Sequence, residues 1–148
     1  MQHRINWTLL ILLVLVAPLI AACGASPAAS VEKISPALVE DIEGSSLHRI
    51  TLTERAAERL GIQTAAATQM ELDGASRLAV PDSAVIYDAK GETWVFVQLE
   101  TLTFMRVPVV ILSITDGFAY LQSGPDPGTE VVVVGAAELY GTDLGVGK

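Results

Sequence analysis

Leu78-Ala79-Val80-Pro81-Asp82-Ser83-Ala84-Val85-Ile86-Tyr87-Asp88, then Ala89-Lys90-Gly91, then Glu92-Thr93-Trp94-Val95-Phe96-Val97-Gln98-Leu99, is the stretch on which the fold turns. Two β-rich runs joined by a short loop ending in glycine predict a hairpin, because glycine takes the positive φ that closes such a loop. In the second run Trp94, Phe96 and Gln98 share one face, and Val95, Val97 and Leu99 share the other. Both faces are mostly apolar, which predicts a central strand covered on two sides.

Working outward, residues 78–140 read as a succession of short strands. Phe104-Met105-Arg106-Val107 alternates, and Pro108 marks an edge or a bulge. Val109-Val110-Ile111-Leu112 reads as a buried strand, Asp116-Gly117 as a turn, and Phe118-Ala119-Tyr120-Leu121 as the next strand. Gly124-Pro125-Asp126-Pro127-Gly128 introduces Thr129-Glu130-Val131-Val132-Val133-Val134-Gly135, and Ala136-Ala137-Glu138-Leu139-Tyr140 predicts one helical turn. Upstream, His48-Arg49-Ile50-Thr51-Leu52 predicts a strand. Thr53 suits an N-cap for a helix over residues 54–60 that Gly61 stops. Met70-Glu71-Leu72 precedes the turn signal Asp73-Gly74. The expected fold is mostly β: a small antiparallel β-barrel or sandwich with one short helix.

The 148 residues support one domain. A net charge of −8 with scattered Lys and Arg excludes the concentrated basic patch that nucleic-acid binding needs. The single cysteine, Cys23, can form no intramolecular disulfide. It follows Met1-Gln2-His3-Arg4 and an apolar run over residues 5–22, the pattern of a secretory signal. Ile20-Ala21-Ala22-Cys23 resembles the bacterial lipobox, in which the cysteine is lipidated and becomes the mature N-terminus. The alternative is an uncleaved anchor. A span takes about 20 apolar residues, and this run is shorter and holds Asn6, Thr8 and Pro18. Either way the rest lies outside the cytoplasm, tethered to a bacterial membrane. The expected division is a leader over 1–22, a flexible tether over 23–46, a β-rich domain over 47–141 and a Gly-rich tail over 142–148.

Three passages resemble the C-terminal parts of the periplasmic adaptor subunits of RND-type efflux pumps, the membrane fusion protein family. The first is Leu52-Thr53-Glu54-Arg55-Ala56-Ala57-Glu58-Arg59-Leu60-Gly61-Ile62-Gln63-Thr64-Ala65. The second is Val80-Pro81-Asp82-Ser83-Ala84-Val85-Ile86 with Gly91-Glu92-Thr93-Trp94-Val95-Phe96-Val97. The third joins Phe104-Met105-Arg106-Val107-Pro108-Val109 to the segment from Leu121 through Val131-Val132-Val133-Val134 to Leu139. Full adaptors insert a lipoyl domain and a long helical hairpin. Here Ala65 leads to Leu78 in only about a dozen residues, and no heptad pattern occurs. The resemblance therefore implies a short lipoprotein relative that keeps the membrane-proximal module and docks on an RND-type transporter permease. Trp94, Phe104, Arg106 and Tyr140 are its candidate partner-binding residues, as aromatic and Arg side chains dominate interface energetics. Trp94 and Phe96 also suit a core, whereas Arg106 and Tyr140 suit a surface.

A second function class is an independent extracytoplasmic module that binds a small molecule or a metal ion, which predicts a concave pocket with convergent polar groups. An enzyme is the weakest class. His48 is the only histidine after the signal and reads as an ordinary strand residue, since zinc sites take three or four protein ligands. Met70 and Met105 read as core filler rather than metal contacts. No serine has the glycines of a G-x-S-x-G elbow. Gly145-Val146-Gly147-Lys148 fails as a phosphate loop because Thr142 stands where its first glycine belongs. Asp82, Asp88, Asp116, Asp126 and Glu130 sit in or beside turns, where carboxylates cap backbone donors. No catalytic residue, metal or cofactor is assigned.

Overall fold

The computed structural model describes residues 35–146; the leader, Cys23 and the first part of the expected tether lie outside the described residues. Among the described residues, eleven strands and two short α-helices follow one another. They are β1 (Ala37–Asp41), β2 (His48–Leu52), α1 (Glu54–Leu60), β3 (Gln63–Ala66), β4 (Thr68–Leu72) and β5 (Ala75–Pro81), then β6 (Ile86–Tyr87), β7 (Thr93–Glu100), β8 (Thr103–Pro108), β9 (Val110–Thr115), β10 (Phe118–Ser123), β11 (Glu130–Val134) and α2 (Ala136–Asp143). All pairings are antiparallel. A seven-stranded sheet runs β1-β2-β8-β7-β11-β3, with β6 also on β7, and a four-stranded sheet runs β4-β5-β10-β9. The fold is a sandwich with two short helices, and the sheets do not close into a barrel.

Strand β7 is central, as its two apolar faces require. Val95 and Val97 face the smaller sheet and pack with Val80, Ala119, Leu121 and Val131. Phe96 faces the opposite way and packs with Ile50, Phe104, Ala57 and Leu139 beneath the helices. The larger sheet is thus buried on both sides, with Val131 and Val132 of β11 divided between the same two cores. Each fully buried Val, Ile or Phe contributes roughly 1.5–3 kcal/mol over its exposed state.

Local signals hold where the chemistry is short-range. Thr53 Oγ1 accepts from the Ala56 N–H at 3.2 Å. Gly61, at φ 63°, closes α1 with bonds from its own N–H to Glu58 and from the Ile62 N–H to Ala57, a Schellman ending. Asp73-Gly74 and Asp116-Gly117 both carry two successive positive φ values and join β4 to β5 and β9 to β10 as two-residue hairpins. The Gly91 turn closes the β6–β7 hairpin, with Tyr87 opposite Thr93.

Four expectations are corrected. The run over residues 78–88 is not one strand: β5 ends at Pro81, a 3-10 turn over Asp82–Ala84 follows, and only β6 pairs with β7. Proline at the strand end and the short acidic turn carry the chain from one sheet to the other. Within the stretch read as tether, Ala37–Asp41 forms β1 and pairs with all five residues of β2; Pro36 stands just before a strand, where its missing N–H costs nothing. Val109–Leu112 is not a buried run. Val109 is buried at the crossing between sheets, tied to Thr93 by two bonds, but β9 beyond it is an edge strand. The final helical turn extends through Thr142 and Asp143, residues assigned to the tail, because Leu139 and Asp143 both bury against the sheet.

Candidate functional site

The chemistry-bearing side chains gather where the β1–β2 hairpin, β8 and the end of α2 meet. Asp41 closes β1 directly opposite His48, the first residue of β2. Arg106 lies on β8 opposite Phe96, so its side chain emerges on the helix side of the sheet, diagonal to Trp94. Asp143 ends α2 and is 4% exposed. A negative charge at a helix C-terminus opposes the helix dipole, so this carboxylate needs specific partners.

It has them. His48 Nδ1 donates to Asp143 Oδ1 at 2.7 Å, the role a carboxylate oxygen imposes on the ring nitrogen. Arg106 Nε approaches Asp143 Oδ2 at 3.1 Å. Neither of those two atoms has an aligned hydrogen bond, so the contact is Coulombic rather than directional. The Arg106 guanidinium also donates to the Ser46 carbonyl at 3.3 Å and lies 4.7 Å from the Trp94 ring centroid. Trp94 Nε1 in turn donates to Asp88 Oδ2 at 3.3 Å. One chain of contacts therefore runs from the β6–β7 turn through Trp94, Arg106, Asp143 and His48 to Asp41.

Asp88 anchors the outer end. Partial loss of hydration alone would raise its pKa. Hydrogen bonds from the Glu92 and Lys90 N–H groups, with the Trp94 indole, outweigh that and hold it below its ordinary value of 3.8.

The arrangement binds elements together and leaves little for catalysis. His48 Nε2 faces Asp41 Oδ1 at 3.4 Å while Nδ1 is committed to Asp143, so both ring nitrogens already face carboxylates. Among the described residues, no group of three or more His, Cys, Asp or Glu side chains is placed to hold a metal ion. Met70 and Met105 lie in different sheets. An open groove of about 630 Å³ is floored by Ala57, Ile62, Leu102 and Phe104 and rimmed by Glu54 and Glu58.

Of the candidate partner-binding residues, Phe104 is 1% exposed and belongs to the core. Its position in alternation with Arg106 places both on the helix side, where Phe104 packs with Phe96, Ile50 and Leu139. Phe96 is likewise fully buried. Trp94 and Tyr140 are half-buried, each with an accessible margin. The Arg106 side chain is 13% exposed, deeper than a surface reading allows. Cys23 lies outside the described residues. Sequence reading missed Asp143 altogether. An acidic residue in the last turn of a short helix, against the dipole, was the available signal.

Among the described residues, no helix is long and apolar enough to cross a membrane. No family model matches the chain, and no curated protein matches it. A solved structure that the chain resembles is an NMR structure of part of SilB from Cupriavidus metallidurans CH34, covering its N-terminal metal-binding site and membrane-proximal domain. Identity is 26%, the TM-score is 0.45, and the match takes in 60% of this chain and 51% of that one. The match thus spans about half the length of that structure.

Proposed function

We propose that this chain is an extracytoplasmic, lipid-anchored accessory subunit of adaptor type that docks on the permease of an RND-type efflux transporter. It makes its contacts through the β module and carries out no catalysis. The reading rests on the sequence passages that resemble the membrane fusion protein family. One structural observation supports it: the first and last of those passages interlock. β3 pairs with β11, and Ile62, just after the Leu60-Gly61 helix ending, fills the space beside Gly135 at the start of α2. The first and last family-like segments thus lie directly against each other in this chain.

Within that reading, the docking surface includes the accessible margins of Trp94 and Tyr140, with Arg106 setting the pose of Trp94. Membrane attachment is through Cys23.

The test is affinity capture of the intact protein from detergent-extracted membranes, with mass spectrometry of what accompanies it. Recovery of an RND-type permease, reduced several-fold by Trp94→Ala and Tyr140→Ala in proteins that still fold, is the expected result. Capture with no permease would remove the docking assignment. Cys23→Ser is expected to abolish incorporation of labelled lipid; retained label would refute the anchor.

A further inference from the structure

The least protected edge of the sandwich is β9. Nine large apolar residues are substantially exposed among the described residues, and three of them, Val110 (49%), Leu112 (49%) and Ile114 (47%), alternate along this one strand. The others are scattered over β1, β6, β7, β11 and the segment after α2. Among the described residues β9 pairs only with β10, and its outer side carries backbone groups that no described strand pairs with. Edges are ordinarily blunted by charge or proline. β1 carries Glu40 and Asp41, β4 carries Glu71, and β3 is four residues long with no large apolar side chain. Val110-Ile111-Leu112-Ser113-Ile114-Thr115 has no charge, nor does the neighbouring Phe118-Ala119-Tyr120-Leu121-Gln122-Ser123.

We propose that β9 pairs antiparallel with β9 of a second copy of this chain, about a two-fold axis through Leu112. The inference stands apart from the transporter-docking reading. Its basis is self-complementarity. That register sets Leu112 opposite Leu112 and Val110 opposite Ile114, so each exposed aliphatic residue meets another on the same face. The charge distribution also permits it in a chain of net charge −8. The nearest acidic residue, Asp116, faces Pro108 of the second copy, and the two Asp116 carboxylates stand about 27 Å apart along the strands. That exceeds the Debye length of roughly 8 Å at physiological salt, so their repulsion is screened. The register shifts between β9 and β10 curve the strand and keep the contact short. With roughly 300–400 Å² buried per copy, against about 800 Å² in a standard stable interface, the dimer is weak and reversible.

A cross-link reads such a contact. In the full chain carrying Cys23→Ser and solubilised in mild detergent, Leu112→Cys places two thiols opposite each other at a Cα separation of about 4.5–5.5 Å, within disulfide reach. Mild oxidant is expected to convert Leu112→Cys to a dimer at least ten-fold faster than Ile114→Cys, whose own copy lies about 13 Å away along the strand. Mixing Val110→Cys with Ile114→Cys is expected to restore the fast reaction. Leu112→Lys is expected to lower the sedimenting mass at high concentration, and Leu38→Lys on β1 to leave it unchanged. Equal rates for Leu112→Cys and Ile114→Cys, or an undiminished mass for Leu112→Lys, would overturn the proposal. So would loss of a different protein from the Leu112→Lys capture alongside slow Leu112→Cys cross-linking, since β9 would then serve another partner.

Discussion

The two faces of the larger sheet are buried by different means. Toward the smaller sheet the core is Val, Ala and Leu alone, and both layers are held by their own ladders of backbone bonds. Toward the helices the core is built from Phe96, Phe104, Ile50 and Leu139, and beside it sits the Asp143–Arg106–His48 cluster. The difference follows from the covering elements. Helices of seven and eight residues fall short of the ~12–15 that persist alone in water, so tertiary contacts must fix their position. A sheet needs no such clamp. The polar cluster lies where the fold has least backbone cooperation of its own.

Breaking the aromatic side should cost most. Phe104→Ala is expected to lose about 3–5 kcal/mol, against about 2 for Val95→Ala across the sheet, by urea unfolding. A Phe104 variant no worse than Val95→Ala would remove the asymmetry. Asp143→Ala strands Arg106 beside an empty site and is expected to lose about 3 kcal/mol, together with early exchange of the α2 amides. Gly135→Ala tests the seam between the passages. With φ at 88° and Ile62 where a Cβ would go, it should lose about 2 kcal/mol or more, read as a lower urea midpoint with an unchanged slope. An unchanged midpoint would show that the seam gives freely.

The smallest effect belongs to Asp88. Its folded pKa is depressed, so its contribution is present above the unfolded pKa and is lost as pH falls through the folded one. The β6–β7 turn should loosen only on acidification below 3.8, and Asp88→Asn should flatten that dependence. A turn whose Trp94 fluorescence stays pH-independent across that window in the native protein would contradict the assignment.

Legibility in the sequence tracks the range of the interaction. Asp73-Gly74, Asp116-Gly117, Thr53 and Gly61 were readable because their bonds close within a few residues. The two apolar faces of β7 likewise announced a central strand. What stayed hidden depends on distant partners. Val110 and Leu112 look buried in a continuous apolar run, and only the strand order puts them on an edge. Residues 37–41 gain a strand because β2 stands ready to pair. Asp143 matters through Arg106 and His48, thirty-seven and ninety-five positions away in the chain. Arg106 could be picked out as important, but whether it faced outward or inward was set by a helix end that had been read as tail.

The clamp on the helix side is tested most directly by a double-mutant cycle between Arg106→Met and Asp143→Leu, measured by equilibrium urea unfolding. Removing Arg106 leaves the buried Asp143 carboxylate with His48 alone, and removing Asp143 leaves the Arg106 charge without a carboxylate, whereas removing both replaces the pair with apolar groups. The double variant is therefore expected to be more stable than the sum of the single losses by about 1.5–3 kcal/mol. Additive losses would mean that Asp143 and Arg106 act independently, and the helices would then be held by packing alone.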